Sequence, residues 1–397
     1  MGVRYLFLDM NAYFASVEQQ DDKTLRGKPV CVVPVEAETT VCIAASYEAR
    51  RCGVKTGTPV YEARARCPGL RVVRARPRRY VEVHQQILRA VESVLPIEEV
   101  RSIDEMRFRL LKNERPHARE LALALKEAIR TRVGEHLLAS VGGGPNRFLA
   151  KVATEIEKPD GLVLITEEDL PEILWTLKLT DLYGIGRRME RRLNRLGVFT
   201  VRQLTEAPLE LLRKAWGGVL GERMYRNLRG EDLPEVETHR RSFAHSHVLS
   251  PELRAPEKAR LVAVRLLVKA AARMRKAGYA AGSLYLHLRF LEGEDYAAFT
   301  HLAPTFATRT LVFALRRLWP ERERRPVLKA SVTLGHLVAY PGLSLFSTER
   351  KNQLLAHALD QINARFGPDT VRPATLDLVG EVGEYRIAFD KIPDFSV

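Results

Sequence analysis

A short apolar segment near the start of the chain runs into an aspartate, and two further acidic residues stand side by side much later. Residues 3–8 are mostly apolar and aromatic, as in a buried strand, and Asp9 follows them. Asp104 and Glu105 lie within residues 98–111, which alternate as a strand does. Neighbouring strand residues point to opposite faces, so these two can serve one site only at a turn, a bulge or a strand end. A fold that uses all three carboxylates must bring separate strand ends together.

Converging carboxylates predict a site for divalent cations. Two such cations about 3.5–4 Å apart handle phosphate oxygens well in transfer reactions, and carboxylates from separate strands hold them. Each acidic residue taken alone also has an ordinary interpretation, because Asp9, followed by Asn11 and a helical pattern, could simply cap a helix. The assignment therefore depends on the rest of the sequence.

The composition indicates a folded chain of several domains with an affinity for anions. The 397 residues are 46% hydrophobic, enough for roughly two to four domains with their own cores. Lys and Arg number 63 against 49 Asp and Glu, and the net charge of +14 suits a phosphate-rich partner, although a merely basic protein would share it. Without a signal-like segment or an apolar run of about 18 residues, we expect a cytoplasmic protein with no membrane span.

All four cysteines fall in the first 70 residues: Cys31, Cys42, Cys52 and Cys67. They lack the paired spacing of a zinc site and the density of a secreted scaffold. We expect reduced, partly buried thiols.

Strand and helix patterns interleave through the first 166 residues. Strands are predicted at residues 29–35, 39–43 and 137–142, and helices at residues 11–20, 80–95 and 119–133. This interleaving predicts an α/β layer. The run Gly142, Gly143, Gly144 indicates either a close backbone approach or only a tight turn before a helix that starts at Asn146.

Residues 170–230 have helical patterns, with Gly184 and Gly186 in a hairpin between two helices. Backbone N–H groups at such a hairpin can seat a phosphate, although a glycine-bearing turn is often no more than a turn. Four arginines follow and would face either a nucleic-acid backbone or solvent: Arg187, Arg188, Arg191 and Arg192.

A polar stretch at residues 230–241 predicts a linker to a new domain. Beyond it, the order is βαββαβ, at residues 242–249, 256–276, 282–291, 296–302, 308–318 and 327–340. This order suits a four-stranded sheet with helices on one face, and topology alone leaves an unrelated ferredoxin-like domain open.

Five motifs in order give the chain a family resemblance. They are residues 8–18 around Asp9, residues 46–50, Ser102-Ile103-Asp104-Glu105, residues 144–151, and Lys158-Pro159-Asp160-Gly161. Across most of the chain they resemble the Y-family, or translesion, DNA polymerases of bacteria. The resemblance implies an α/β multidomain, right-hand polymerase with a palm (1–20 and 71–166), fingers (21–70), a helix-hairpin-helix thumb (167–230), a linker (231–241), a βαββαβ little finger (242–340) and a C-terminal tail (341–397).

The resemblance also implies roles for single residues. Asp9, Asp104 and Glu105, with the Met10 carbonyl, would hold two Mg²⁺ ions. Contacts to the incoming dNTP would come from Tyr13, Phe14, Tyr47, Arg50 and Lys158, and contacts to primer–template DNA from Gly184, Gly186, Arg187 and Arg188. Phe14 would lie under the sugar and exclude a ribose 2′-OH. Without the resemblance, an aromatic at this position would be assigned to the core.

Two local features refine the comparison. Asn11 replaces an acidic residue of many members and resembles the UmuC-like branch. Leu343, Leu345 and Phe346 resemble the apolar peptide with which bacterial members bind the sliding clamp, with Gly342 in place of the usual Gln. A helix is predicted after it, at residues 354–366.

The favoured interpretation is a monomeric, template-directed, low-fidelity DNA polymerase that performs translesion synthesis. The alternative is a catalytically weak, polymerase-like adaptor that binds DNA and the clamp. Loss of the acidic trio would mark the adaptor, and all three residues are present. A palm-type nucleotidyl cyclase would share the carboxylates but would need neither the hairpin nor the basic C-terminal domain.

Overall fold

The computed structural model describes residues 2–235, 240–340, 342–367 and 369–379, which form two compact units. The first unit contains residues 2–235 and the second contains the described residues from 240 onwards. Pro341 and residues 368 and 380–397 of the predicted tail lie outside the described residues. Within the described ranges, no helix has the length and apolar character needed to cross a membrane.

A five-stranded sheet lies at the centre of the first unit. It consists of β1 (Tyr5–Met10), β5 (Glu99–Val100), β6 (Glu105–Arg109), β7 (Ala139–Gly144) and β8 (Leu162–Leu164), in the order β5-β6-β1-β7-β8. β1 pairs antiparallel with both β6 and β7, and all its residues are buried. The predicted first strand is confirmed.

The segment predicted as one strand over residues 98–111 is in fact two strands separated by a turn. After β5 the chain turns at residues 101–104, where the Arg101 amide donates to the Glu105 carbonyl at 2.9 Å. Alternation continues through such a hairpin, so the sequence pattern did not reveal it. The turn meets the condition under which Asp104 and Glu105 can serve one site.

Helices cover both faces of this sheet. α1 (Tyr13–Asp21), α4 (Pro77–Glu92) and α5 (Ala118–Arg132) share a core with Leu6, Leu8 and Met10. The alternate residues Tyr5 and Phe7 pack against α6 (Arg147–Ile156) on the other face. The predicted α/β layer is confirmed, and strand alternation directs Asp9 toward the α6 face.

The glycines of β7 let α6 lie directly on the sheet. Gly142, Gly143 and Gly144 are buried strand residues and not a tight turn. A Cβ at Gly142 would lie 2.4 Å from the Ala150 carbonyl oxygen, and one at Gly144 would lie 2.6 Å from the Ala150 nitrogen. Close approach of the α6 backbone is therefore the reason for Gly142 and Gly144, whereas a Cβ at Gly143 would meet the Leu164 side chain at 2.5 Å.

A smaller sheet, of order β3-β2-β4, contains β2 (Val30–Val33), β3 (Ala44–Ala45) and β4 (Arg71–Arg74), with α2 (Tyr47–Arg51) and α3 (Val60–Arg66) beside it. Cys31 and Cys42 form a disulfide, so the expectation of four reduced thiols is wrong for this pair. The antiparallel return of the chain brings their Cα atoms to 5.8 Å, within bridging range. Cys52 and Cys67 are free thiols.

Four short helices follow in the first unit, as the helical patterns predict. They are α7 (Arg187–Arg195), α8 (Val201–Glu206), α9 (Leu209–Trp216) and α10 (Val219–Asn227). Their shared core includes Leu193, Leu204 and Leu212.

The beginning of the predicted linker is bound to the central sheet. The Tyr5 hydroxyl donates to Asp232 at 3.0 Å, and Arg107 forms an ion pair with Glu235 at 2.7 Å. Residues 231–235 thus belong structurally to the first unit.

The second unit is a four-stranded antiparallel sheet with helices. Its elements are β9 (Phe243–Val248), α11 (Pro256–Lys276), β10 (Tyr279–Phe290), β11 (Tyr296–Thr305), α12 (Thr308–Leu318), β12 (Val327–Ala339) and α13 (Ser347–Phe366). The sheet order is β11-β10-β12-β9, and the predicted βαββαβ order is confirmed. α13 begins at Ser347, earlier than the predicted Leu354, because Glu349 in its first turn accepts hydrogen bonds from the Thr305 and Thr310 hydroxyls.

Candidate active site

The ends of β1 and β6 bring three carboxylates together. Asp9 and Glu105 are paired residues in the antiparallel ladder. Asp104 precedes Glu105 in the turn, and its carbonyl accepts the Met10 amide at 2.9 Å. The side chain of Met10 is buried in the core, so only its backbone is available to a ligand. The acidic residues singled out in the sequence therefore come together.

Asp104 lies in a turn that is held from two sides. Its carboxylate accepts a hydrogen bond from the Ser102 hydroxyl at 2.5 Å, and His84 Nδ1–H donates to the Ile103 carbonyl at 2.7 Å. Burial raises the pKa of Asp104 to about 6; the two neighbouring carboxylates act in the same direction, and the Ser102 hydrogen bond opposes them. The cluster thus favours a cation beside it.

Lys151 of α6 places an ammonium group at the cluster. It contacts the Asp9 carboxylate and lies 2.9 Å from Glu105 Oε1 and 3.4 Å from Glu155 Oε1. Burial acts to lower the pKa of Lys151, but the charges of Asp9 and Glu105 raise it overall. Lys151 had no predicted role. The glycine run of β7 is the sequence feature that could have indicated this position, because the packing of these glycines against α6 places Lys151 at β1.

Lys158, predicted to contact the nucleotide, also lies at these carboxylates. Its ammonium is 3.1 Å from Asp9 Oδ2 and 2.7 Å from Glu155 Oε1. The loop that carries it is held by Asn11, whose amide nitrogen donates to Ser140 Oγ at 3.0 Å and whose oxygen accepts the Asp160 amide at 2.7 Å. Asn11 uses both its donor and its acceptor here, which an ionised carboxylate in its place could not do.

Tyr47 and Arg50 lie on α2, which Ser46 caps. The Arg50 guanidinium lies 4.9 Å from the centroid of the Tyr47 ring, and its Nε donates to the Ala45 carbonyl at 3.1 Å. The Tyr47 hydroxyl is buried and makes no hydrogen bond within the described part of the chain, and burial raises its pKa. A buried hydroxyl without a partner favours a ligand that supplies one.

Tyr13 and Phe14 lie in the first turn of α1. The Phe14 ring stacks on Tyr80 with centroids 4.4 Å apart, and the Tyr13 hydroxyl donates to the Tyr80 carbonyl at 2.6 Å. Both side chains are buried in the core that contains Leu8 and Met10. Phe14 is thus a core residue whatever further role it has.

The glycine-bearing hairpin before α7 presents basic side chains. Gly184 has a φ of 87°, which favours glycine, and Gly186 is the N-cap of α7. A cleft on α7 is lined by Arg188, Arg191, Arg192 and Arg195, all exposed, and Arg187 is exposed beside it. Arg195 extends the set that the sequence predicts.

In the second unit, the predicted clamp-binding residues lie at the surface. Leu345 is 99% exposed and Phe346 81% exposed, whereas Leu343 is 39% exposed. The Ser344 amide donates to the buried Gln353 of α13 at 2.7 Å, which ties this segment to the helix.

The donor set of the carboxylate cluster suits a hard divalent cation. Asp9, Asp104 and Glu105 offer the oxygen ligands that Mg²⁺ prefers. Across the described ranges, no three His, Cys, Asp or Glu side chains are spaced to enclose a metal ion. A cation bound at this cluster would share Asp9 and Glu105 with the Lys151 ammonium.

Three family models match successive parts of the chain. Residues 8–155 match the impB/mucB/samB family, residues 180–232 match the DNA polymerase-iota thumb domain, and residues 240–345 match the C-terminal domain of the impB/mucB/samB family. The first match covers the carboxylate cluster and the second covers the glycine hairpin.

Similar proteins match over nearly the whole length. DNA polymerase IV of Moorella thermoacetica is 35% identical over 396 residues, 93% of this chain and 95% of that protein. DNA polymerase IV of Pelotomaculum thermopropionicum is 33% identical, covering 96% of this chain and 97% of that protein. The solved Y-family DNA polymerase chimera Dbh-Dpo4(243-245)-Dbh has a TM-score of 0.68 at 24% identity, over 84% of this chain and 99% of that one, so the fold is shared.

Proposed function

The chain belongs to the impB/mucB/samB family of Y-family DNA polymerases, and we propose that its clustered carboxylates carry two-metal nucleotidyl transfer from a dNTP to a primer 3′-OH. It is a DNA-directed DNA polymerase of the translesion class. The observation that carries the mechanistic proposal is the pairing of Asp9 with Glu105 across β1 and β6, with Asp104 in the adjoining turn.

Asp9, Asp104 and Glu105, with the Met10 carbonyl, are the proposed ligands of two Mg²⁺ ions. Bound Mg²⁺ supplies a lowered pKa for the primer 3′-OH and charge neutralisation at the departing pyrophosphate. The contribution of the protein is to hold the oxygens in place. Ladder pairing orients Asp9 and Glu105, and the turn fixed by Ser102 orients Asp104.

Tyr47, Arg50 and Lys158 are the proposed triphosphate contacts. The Tyr47 hydroxyl has a donor to offer, because the described residues leave it without a partner. Arg50 keeps most of its planar fork for phosphate oxygens while its Nε is bound to Ala45. Lys158 acts as a point charge that can exchange Asp9 for phosphate.

Tyr13 and Phe14 are the proposed contacts to the sugar. Stacking on Tyr80 holds the Phe14 ring in one place, so the ring cannot retreat from a ribose 2′-OH without disturbing the core. This rigidity supports selection of deoxynucleotides.

The glycine hairpin and α7 are the proposed contacts to the duplex backbone. The space beside Gly184 and Gly186 is open, because a Cβ built at either position would meet no heavy atom within 4 Å apart from the glycine and its chain neighbours, so a phosphate can approach the backbone there. Arg187 and Arg188 follow at the exposed start of α7 and supply counter-charge to phosphates.

The exposed Leu345 and Phe346, with Leu343, are the proposed anchors for a sliding clamp. Exposed apolar side chains of this size bind by filling a partner pocket. A monomeric polymerase in the cytoplasm remains the prediction made from the sequence.

Primer extension tests the catalytic proposal. A labelled primer on undamaged and abasic templates, with Mg²⁺ and four dNTPs, should be extended by the native protein and not by Asp104→Ala. Primer–template affinity should be retained in the variant, since Asp104 is distant in sequence from the thumb arginines and its loss removes no positive charge. Appreciable synthesis by Asp104→Ala contradicts the metal assignment, and absent synthesis by the native protein despite tight DNA binding supports the adaptor.

A further inference from the structure

Lys151 lies between two carboxylates that the proposed metal site requires. Its ammonium contacts Asp9 and lies 2.9 Å from Glu105 Oε1, and its third neighbour is Glu155 at 3.4 Å. The side chain is only 13% exposed, and its Nζ lies 5.1 Å from the Phe7 ring centroid. Three acidic neighbours and an aromatic face are together the surroundings that favour a cation.

We propose that Lys151 is a resident cation that holds Asp9 and Glu105 together and competes with divalent metal for their oxygens. Lys151 is thereby a positioning residue that sets the metal requirement of the enzyme. This inference rests on the proposed function, because it needs Asp9 and Glu105 to be metal ligands.

Competition follows from the occupancy of the Asp9 carboxylate. Its Oδ2 already contacts the ammonium groups of both Lys151 and Lys158. A metal ion that takes this oxygen either displaces an ammonium or lies beside one. Displacing the ammonium breaks an ion pair, and binding beside the ammonium adds charge repulsion, so both routes weaken metal binding.

The same charge balance links metal capture to the nucleotide. The acidic side chains of Asp9, Glu105 and Glu155 contact two ammonium groups, so the negative charge left for a metal is partly cancelled. A triphosphate brings further negative charge and offers Lys158 an alternative partner. Metal therefore binds more weakly before the nucleotide than with it, and Lys151 weakens the binding to the nucleotide-free protein.

Metal binding to the nucleotide-free and DNA-free protein tests the proposal. The probe is Mn²⁺, whose free aqueous ion is measured by electron paramagnetic resonance. Replacement of the ammonium in Lys151→Met should lower the Kd for Mn²⁺ about tenfold or more, because repulsion and competition are both removed. Lys151→Gln, which stays polar, should shift the Kd in the same direction and covers the case in which the Met variant does not fold.

The matched control is Lys329→Met. Lys329 is a half-buried lysine of β12 in the second unit, and its replacement removes the same charge as the Lys151 variants do. This variant should bind Mn²⁺ as the native protein does. An equal gain in Lys329→Met would attribute the effect to overall charge and overturn the proposal.

Thermal unfolding supplies a second readout. Without metal, Lys151→Met should unfold at a lower temperature than the native protein, because two carboxylates face each other uncompensated. Added Mg²⁺ should raise its Tm more than that of the native protein. Equal Kd values and equal Mg²⁺ responses in native and both Lys151 variants would overturn the proposal while leaving the carboxylate site intact. Mn²⁺ binding that Asp9→Asn leaves unchanged would overturn the proposed function and, with it, this inference.

Discussion

Gly142 of β7 lies directly under Ala150 of α6, so close that a Cβ at Gly142 would meet the Ala150 carbonyl oxygen at 2.4 Å. The next residue of α6 is Lys151, which reaches Asp9 and Glu105. The spacing of helix and sheet therefore sets the spacing of ammonium and carboxylates. A packing requirement and an electrostatic one are met by the same short segment.

Gly142→Ala should destabilise the protein by about 1–3 kcal/mol, because the backbone of α6 must move away from β7. The same displacement carries Lys151 from the carboxylates, so primer extension should fall as well. Denaturant unfolding and extension rates provide the measurement. Gly69→Ala is the control, since its Cβ would meet only Pro29 Cγ at 3.9 Å, and an equal loss in both variants would contradict the packing argument.

His84 should make stability depend on pH on the acid side of neutrality. Burial lowers the pKa of His84, which donates to the Ile103 carbonyl next to Asp104. The unfolded chain protonates this group near its ordinary pKa of about 6.5 while the folded chain does not, so the contribution of His84 to stability falls below that pH by at most about 1.4 kcal/mol per unit until its folded pKa is reached. Asp104, whose pKa is raised to about 6, acts in the opposite direction over the same range.

Unfolding free energies between pH 7 and pH 5 check this effect. His84→Gln keeps a donor for Ile103 and should remove the loss of stability that His84 contributes on acidification, whereas replacing the exposed His117 by Gln should leave the pH profile as it is in the native protein. The same slope in His84→Gln and the native protein would assign the acid sensitivity to other groups.

The Cys31–Cys42 disulfide should protect these two cysteines from alkylation. Alkylation of the unfolded, unreduced protein should label only Cys52 and Cys67, and reduction should expose the other pair. The bonded cysteines are 11 residues apart in the sequence, and closing such a loop stabilises the folded protein by about 2–3 kcal/mol in the chain-entropy model. A reductant should therefore lower the midpoint of unfolding. Cys31→Ala/Cys42→Ala should be indifferent to the reductant, and labelling of all four cysteines without reduction would contradict the pairing.

Phe14→Ala should admit ribonucleotides. Removal of the ring opens the space that the stack on Tyr80 holds closed, and it also costs about 3–5 kcal/mol of core packing. The ratio of kcat/KM for ribo- and deoxynucleotides separates the two effects, because lost stability lowers both rates together. An unchanged ratio would leave Phe14 as a core residue alone.

Local patterns predicted most elements, and the misses have physical reasons. The βαββαβ order and β1 follow from periodicity and are confirmed. The hairpin at residues 101–104 was missed because alternation continues across a tight turn. The early start of α13 depends on hydrogen bonds that the Thr305 and Thr310 hydroxyls donate to Glu349. These partners lie outside the helix, so its own sequence pattern does not reveal them.

The residues of the candidate site likewise fall into those that the sequence predicted and those that it did not. Taken alone, each acidic residue was also open to a capping or solvated role, and the three carboxylates were identifiable because they stand in motifs that resemble those of the Y-family polymerases. Lys151 was not, since a lysine on an amphipathic helix is ordinarily solvated, and its position depends on glycines in a different element. Likewise, the Cys31–Cys42 bond depends on how the chain returns, which residue spacing does not specify.

Replacing Leu345 and Phe346 by alanine should reduce processivity only when a sliding clamp is present. Both side chains are almost fully exposed, so their removal should leave the unfolding free energy nearly unchanged, and the tie between Ser344 and Gln353 keeps α13 in place. Primer extension with and without clamp gives the measurement. Phe313→Ala is the matched control, because Phe313 is a 64% exposed aromatic on α12, outside the proposed peptide. Equal losses with and without clamp would show that the two residues serve the fold of the second unit and not a partner.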